Sequence, residues 1–172
     1  MPIAKRSAGL LLFRFPAPGG GAGAPADEPG LELLIGHMGG PFWARREAAA
    51  WSVPKGEYVA GEEPAAAARR EFEEELGLPV PAGPWISLGE TRQSNGKTVT
   101  VWALEGDLDP AAAVPGTFVM EWPRGSGVLQ EFPEMDRFAW VTPERAAELL
   151  VKGQRVFVDR LRDRLRDGTY VS

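Results

Sequence analysis

The order of apolar and polar residues along the chain predicts strands, one helix, more strands and two final helices. Residues 98–104 are apolar at every second position, at Val99, Val101 and Ala103, as in a strand that buries one face. The pair Asn95-Gly96 separates this run from the previous one and predicts a tight hairpin. Strands are predicted at residues 8–15, 31–38, 85–93, 98–104, 117–122 and 137–141.

Three segments have the composition and periodicity of helices. Pro64 suits the first residue of a helix because its missing N–H would be unpaired there, and Gly77 suits a left-handed stop. Thr142 is placed to cap a second helix. Helices are predicted at residues 64–76, 144–151 and 154–166. This order of elements indicates an α/β fold, in which helices cover both faces of a mixed sheet.

Two long loops interrupt the predicted elements. Residues 16–30 are rich in glycine, proline and alanine, which predicts a flexible loop between the first two strands. Residues 39–50 form a second loop that carries several aromatic and basic residues and could line a binding site. The length and the lack of an internal repeat favour a single domain over residues 1–172.

The composition excludes several classes of function. The net charge of −5 argues against a nucleic-acid-binding or anionic-membrane surface. The absence of cysteine excludes disulfides and thiol catalysis, and a single histidine excludes sites built from several histidines. No apolar run is long enough to span a membrane. We therefore expect a cytoplasmic monomer or homodimer whose partner is a small molecule.

Three glutamates of the first predicted helix fall on one face. At about 100° per residue, Glu71, Glu74 and Glu75 share one sector, whereas Glu73 points elsewhere. Carboxylates this close repel one another unless a cation lies among them, and Mg²⁺ binds carboxylate oxygens. A solvated glutamate-rich face would show the same three residues, so this spacing alone leaves both interpretations open.

A longer motif surrounds these glutamates. It consists of Gly56, five residues, Glu62, seven residues and then the run REFEEELGL at 70–78. This resembles, at every fixed position, the signature of the Nudix hydrolases, G-x5-E-x7-R-E-U-x-E-E-x-G-U with U apolar. The resemblance implies an α/β/α sandwich in which the motif forms a loop–helix–loop. It also implies an enzyme that hydrolyses nucleoside diphosphate linkages with Mg²⁺, or alternatively Mn²⁺.

The resemblance assigns roles to individual residues of the motif. Arg70 would orient Glu71 or balance its charge, and Glu62 would tie the loop to the helix. Glu71 and Glu75 would be the main catalytic carboxylates. The implied metal ligands are Glu71, Glu74, Glu75 and the backbone carbonyl of Lys55 or Gly56.

Further candidates lie outside the motif. In this family the general base often lies on a late loop, where Glu134 is preferred over Glu131 and Asp136. Trp43 could stack on a base and Arg45 could contact a phosphate, although anchoring of the loop is a common role for such aromatic residues.

The sequence identifies the substrate less closely than it identifies the type of reaction. Lys55, in the tripeptide 54–56, adds a cation that could bind substrate phosphates. Pro-Lys-Gly here resembles Nudix branches acting on nucleoside triphosphates, dinucleoside polyphosphates and diphosphoinositol polyphosphates. The tyrosine that diadenosine-polyphosphate members often carry after the motif is missing, since no tyrosine lies between Tyr58 and Tyr170. The proline typical of ADP-ribose hydrolases would fall near Arg92 or Gln93, and neither is proline. Hydrolysis of nucleoside triphosphates to monophosphate and pyrophosphate is preferred. The alternatives are dinucleoside polyphosphate hydrolysis and a non-catalytic, nucleotide-binding Nudix domain.

Overall fold

The computed structural model describes residues 5–16, 30–93 and 95–168, which form a mixed sheet, a separate two-stranded sheet and three α-helices. The strands are β1 (Arg6–Arg14), β2 (Glu32–Met38), β3 (Trp51–Ser52), β4 (Lys55–Tyr58), β5 (Trp85–Arg92), β6 (Thr98–Glu105), β7 (Thr117–Glu121), β8 (Leu129–Pro133) and β9 (Met135–Val141). The helices are α1 (Pro64–Leu76), α2 (Pro143–Leu149) and α3 (Val156–Arg166), with 3-10 turns at Pro110–Ala112 and Lys152–Gln154. The predicted loop at 16–30 lies, apart from its two ends, outside the described residues.

The sheet is organised around β1. This strand pairs in parallel with β6 along most of its length. On its other side it pairs with β2 only at Phe13 and Arg14, and residues 6–9 pair instead with β4. β3 and β9 pair with β2, and β5 pairs with β6. The chain from β3 to β4 therefore passes from the side of β2 to the side of β1.

Alternate side chains of β1 face two different helical layers, as the period of two in a strand requires. Leu10 packs in one cluster with Phe72 of α1. Leu11 packs in another with Leu149 of α2 and Phe157 of α3. Helices thus cover both faces of a mixed sheet, which confirms the predicted fold class. No helix in the described part of the chain is both long and apolar enough to cross a membrane.

The structure confirms the first predicted helix and corrects three other regions. α1 has the predicted bounds, and Gly77 is left-handed with φ 67°. Strands β3, β4 and β8 are absent from the strands that the sequence predicts. These strands are short, and their partners β2, β1 and β7 supply the hydrogen bonds that define them. The last helix begins at Val156 and not at Gln154, because Gln154 ends the 3-10 turn Lys152–Gln154 and Arg155 is the N-cap.

Candidate active site

Arg70 of α1 connects three carboxylates of the motif. Its Nε and Nη2 donate to the two oxygens of Glu62 at 2.9 and 3.1 Å, which is a bidentate pair. Its Nη1 donates to Glu71 Oε1 at 2.8 Å and lies 3.4 Å from both oxygens of Glu74. The hydrogen bonds with Glu62 are the largest cause of the raised pKa of Arg70, and they lower the pKa of Glu62. This arginine therefore joins the loop that precedes α1 to the helix itself.

The carboxyl group of Glu71 rests on the backbone of Gly56. Pairing of Gly56 with Ala8 of β1 places β4 beneath α1. A Cβ atom at position 56 would overlap the Glu71 carboxyl group, so a glycine is needed for this close approach. Burial raises the pKa of Glu71, and the hydrogen bond from Arg70 opposes that rise.

Glu75 is a buried carboxylate of α1. Its relative exposure is 9%, and within the described residues its Oε2 has no hydrogen-bond partner. Burial, followed by the nearby carboxylates of Glu134 and Glu71, raises the pKa of Glu75 to about 8. A buried carboxylate oxygen without a donor is costly, and a bound cation would satisfy it.

Lys55 brings a positive charge close to the same carboxylates. Burial is the main cause of the lowered pKa of Lys55, with repulsion from Lys97 second. Attraction to Glu75, Glu57 and Glu71 opposes the change. Lys97 is itself held by Glu57, with 3.2 Å between Nζ and Oε1. The half-buried ammonium group of Lys55 could therefore contact an anionic substrate.

The carboxylates of the site are the type of ligand that binds a hard divalent cation, although they do not surround a single point in this structure. Among the residues that the structure describes, no three histidine, aspartate or glutamate side chains converge closely enough to hold a metal ion as they stand. Glu74 is 58% exposed and is drawn toward Arg70, and Glu71 is bonded to the same guanidinium. The Oε2 of Glu75, which lacks a partner in the described part of the chain, and the oxygen-only set of donors suit Mg²⁺ or Mn²⁺.

Glu134 lies close enough to Glu75 of α1 to act on it electrostatically, although it is about sixty residues further along the chain. It follows β8, and its backbone N–H donates to Gly116 O at 2.8 Å while its C=O accepts from Gly39 N at 2.9 Å. Its carboxylate is the second cause, after burial, of the raised pKa of Glu75. Glu131, the alternative candidate for the base, lies within β8 opposite Val119 and is exposed.

Asp136 and His37 are bonded to each other. His37 is fully buried, and its Nδ1 lies 2.8 Å from Asp136 Oδ1. Its Nε2 lies 2.7 Å from the carbonyl oxygen of Arg46, which can only accept, so this nitrogen donates. Both ring nitrogens are thus engaged in holding the 39–50 loop against β2 and β9. This favours a structural role for both side chains.

The loop residues predicted to contact substrate have different surroundings. Trp43 is half-buried against the core cluster of α2 and α3, and the Arg46 guanidinium lies 5.7 Å from its ring centre. Arg45 is exposed in the same turn. Phe42 is 56% exposed and meets Trp122 edge to face with 5.5 Å between ring centres. Trp122 cannot be recognised as a site residue from the sequence, since only the fold brings the hairpin of β7 and β8 beside this loop.

The α/β/α sandwich and the glutamate motif of α1 define a hydrolase that acts on pyrophosphate bonds. Residues 21–161 match the family model described as NUDIX domain, and the chain belongs to the Nudix family. Nudix hydrolases generally use divalent metal ions, which agrees with the donors found here. No curated protein matches the sequence.

Solved structures of Nudix proteins share the fold at low sequence identity. An Ap4A hydrolase from C. elegans, in a binary complex, is 18% identical with a TM-score of 0.60, and the match covers 94% of this chain and 98% of that one. The NUDIX domain of Shewanella oneidensis NrtR, complexed with ADP ribose, is 12% identical with a TM-score of 0.59, covering 96% and 90%. A MutT protein from Methanosarcina mazei Go1 is 18% identical with a TM-score of 0.54, covering 95% of each chain. At these identities the similarity establishes the fold alone.

Proposed function

We propose that the chain is a single-domain, Mg²⁺-dependent pyrophosphohydrolase that converts nucleoside triphosphates into nucleoside monophosphates and pyrophosphate. The observation that carries this proposal is the buried carboxylate of Glu75 within the complete motif, whose Oε2 has no hydrogen-bond partner among the described residues. In the reaction the oxygen of water bonds to one of two phosphorus atoms, and the bond to the oxygen that bridges the α- and β-phosphorus breaks. The bridging oxygen leaves with the other phosphorus, and water gives up a proton.

The proposed metal ligands form a coherent set of hard oxygen donors. They are the carboxylates of Glu71, Glu74 and Glu75 and the backbone carbonyl of Lys55 or Gly56. When bound, the divalent ion supplies neutralisation of phosphate charge and a lowered pKa for the attacking water. Arg70 supports this arrangement, since its hydrogen bonds with Glu62 and Glu71 fix the direction of one carboxylate.

Two further side chains act directly on substrate or water in this proposal. Lys55 binds the phosphate groups, because its ammonium lies among the site carboxylates. Glu134 accepts the proton of the attacking water, and its influence on Glu75 supports a place beside the reacting atoms. Trp43 packs against the core beneath its loop, so its proposed contact with the nucleobase would use only the exposed part of its ring. Arg45 is exposed and free to approach a phosphate.

The alternative substrates are dinucleoside polyphosphates. Pro-Lys-Gly at 54–56 is shared with that branch, and one similar structure is an Ap4A hydrolase. Both substrate classes present a chain of phosphates to Lys55. Nucleoside triphosphates are preferred because the tyrosine typical of the other branch is absent after the motif.

A substrate panel tests this proposal. The protein would be incubated with Mg²⁺ and nucleoside triphosphates, diadenosine polyphosphates, ADP-ribose or NADH, and the products would be separated by chromatography. We expect triphosphates to turn over fastest, to monophosphate and pyrophosphate. Reaction in ¹⁸O-water would then place the label in the product whose phosphorus was attacked. Turnover of ADP-ribose or NADH alone would overturn the assignment.

A further inference from the structure

The segment between β3 and β4 crosses the sheet just before the site. Trp51 and Ser52 pair with β2, whereas Lys55 pairs with Gly9 of β1. Val53 lies between these two ladders, belongs to neither, and is fully buried. Because water cannot reach this position, the N–H and C=O groups of Val53 need partners from within the protein.

Gln154 supplies these partners through a closed ring of hydrogen bonds. Its side chain is fully buried, and its Oε1 accepts from Val53 N at 2.8 Å. Its Nε2 donates to Ser52 Oγ at 2.9 Å, and Ser52 Oγ donates to Val53 O at 2.8 Å. Ser52 Oγ also lies 3.3 Å from Gln154 Oε1, but the hydroxyl has one proton and the bond to Val53 O is the shorter. Both polar groups of the Val53 backbone are therefore satisfied.

Lys55 and Gly56 of the candidate active site follow shortly after the hydrogen-bond ring of Ser52, Val53 and Gln154. Pro54 O accepts from Leu10 N at 3.1 Å, which fixes the next peptide against β1. The absence of a side chain at Gly9 leaves the space that Pro54 O and Lys55 Cβ occupy. Lys55 then places its ammonium near the carboxylates, and the Glu71 carboxyl group rests on Gly56. A shift of the backbone at Val53 would therefore move Lys55 and Gly56 relative to α1.

We propose that Gln154 is a positioning residue for the metal and phosphate site. It acts through Ser52 and Val53 and holds Lys55 and Gly56 in register with the glutamates of α1. Gln154 lies 102 residues after Ser52 in the sequence and outside the Nudix motif. The inference rests on the proposed function, since it assumes that β4 and α1 together bind a divalent cation.

The test compares divalent-cation affinity in variants of the full chain. Gln154→Met keeps the length of the side chain but removes both polar atoms, so Val53 N–H loses its acceptor. We expect Mn²⁺ binding without substrate, measured by loss of the free-ion EPR signal, to weaken by about tenfold, as when the partners of metal ligands are removed in other sites. Gln154→Glu keeps an acceptor for Val53 N–H and should recover most of the affinity.

A matched control separates positioning from stability. Leu161→Ala removes a buried side chain of α3 in the same core cluster as Val53, but this apolar side chain takes no part in the hydrogen bonds of the ring. We expect it to lower the melting temperature but to leave Mn²⁺ affinity within about twofold at temperatures where it is folded. Equal affinity in Gln154→Met and the parent protein would overturn the inference.

The test also covers misfolding of Gln154→Met and failure of the parent protein to bind Mn²⁺. If Gln154→Met does not fold, Ser52→Ala removes one member of the ring and should still weaken Mn²⁺ binding several-fold, in line with the cost of losing one buried hydrogen-bond partner. Unchanged affinity in Ser52→Ala would then reject the positioning role. Failure of the parent protein to bind Mn²⁺ would reject the proposed function itself, which is a distinguishable result.

Discussion

At the scale of single residues, Glu75 shows how a site can oppose stability. Its carboxylate is buried, one oxygen has no donor among the described residues, and its pKa is raised to about 8 from the ordinary value of 4.5. As pH rises from about 4.5 to 8, the unfolded chain releases this proton while the folded chain retains it. The metal-free protein therefore loses stability across that window, and the loss levels off above about pH 8.

The raised pKa of Glu75 predicts how a substitution at this position changes the stability of the metal-free protein. In excess chelator, Glu75→Gln should raise the free energy of unfolding relative to the parent, on the order of a few kcal/mol above pH 8 and little near pH 4. The amide has nearly the same shape as the carboxylate but no charge to bury. Denaturant unfolding at several pH values would measure the difference. A variant that is less stable than the parent at pH 8 would contradict this account of Glu75.

A second prediction at this scale separates neighbouring glutamates. Glu75→Gln and Glu74→Gln should each lower kcat by orders of magnitude, because each removes a proposed metal ligand. Glu73→Gln removes the same charge from the same helix but should leave kcat within about threefold, since this exposed side chain is screened by solvent. Steady-state kinetics with Mg²⁺ would measure all three. A folded Glu73→Gln variant as impaired as Glu75→Gln would show that the proposed helix face is wrong.

At the scale of elements, Arg70 joins the loop that precedes α1 to the helix. Arg70→Lys keeps the charge but cannot form two parallel bonds with Glu62 while also bonding Glu71. We expect kcat to fall by about ten- to a hundredfold with a small change in melting temperature. Arg69→Lys is the matched control, because Arg69 lies over the Trp85 ring at 5.3 Å and should retain near-parental kinetics. Parental kcat in Arg70→Lys would be incompatible with an orienting role.

The elements differ in how far the sequence predicts them. α1 could be predicted to the residue, because Pro64 and Gly77 impose local conformations at its two ends. β3 and β4 could not, since strands of two and four residues have no detectable period and form only through distant partners. β8 ends in Pro133 and is exposed along much of its length, so its sequence lacks the apolar alternation of a strand with one buried face.

At the scale of the whole molecule, the motif predicts the carboxylates of α1 but not the groups that surround them. The fixed spacing of Gly56, Glu62 and Arg70 is local enough to be recognised in one string of residues. The ring formed by Gln154 depends on chain segments that meet only in the folded sheet. Glu134, which influences Glu75, is also distant from the motif in sequence, and only the resemblance to the Nudix family points to it as a site residue. Non-local pairs of this kind leave no pattern in a single sequence.

The central claim is that hydrolysis requires a divalent cation held by the glutamates of α1. Release of pyrophosphate from a nucleoside triphosphate should be followed with Mg²⁺, then in excess chelator, then after Mg²⁺ is restored. We predict full activity with Mg²⁺, loss of activity in excess chelator and recovery when Mg²⁺ is restored. Glu75→Gln should be slower than the parent by orders of magnitude whenever Mg²⁺ is present. A rate in excess chelator equal to the rate with Mg²⁺ would contradict the claim.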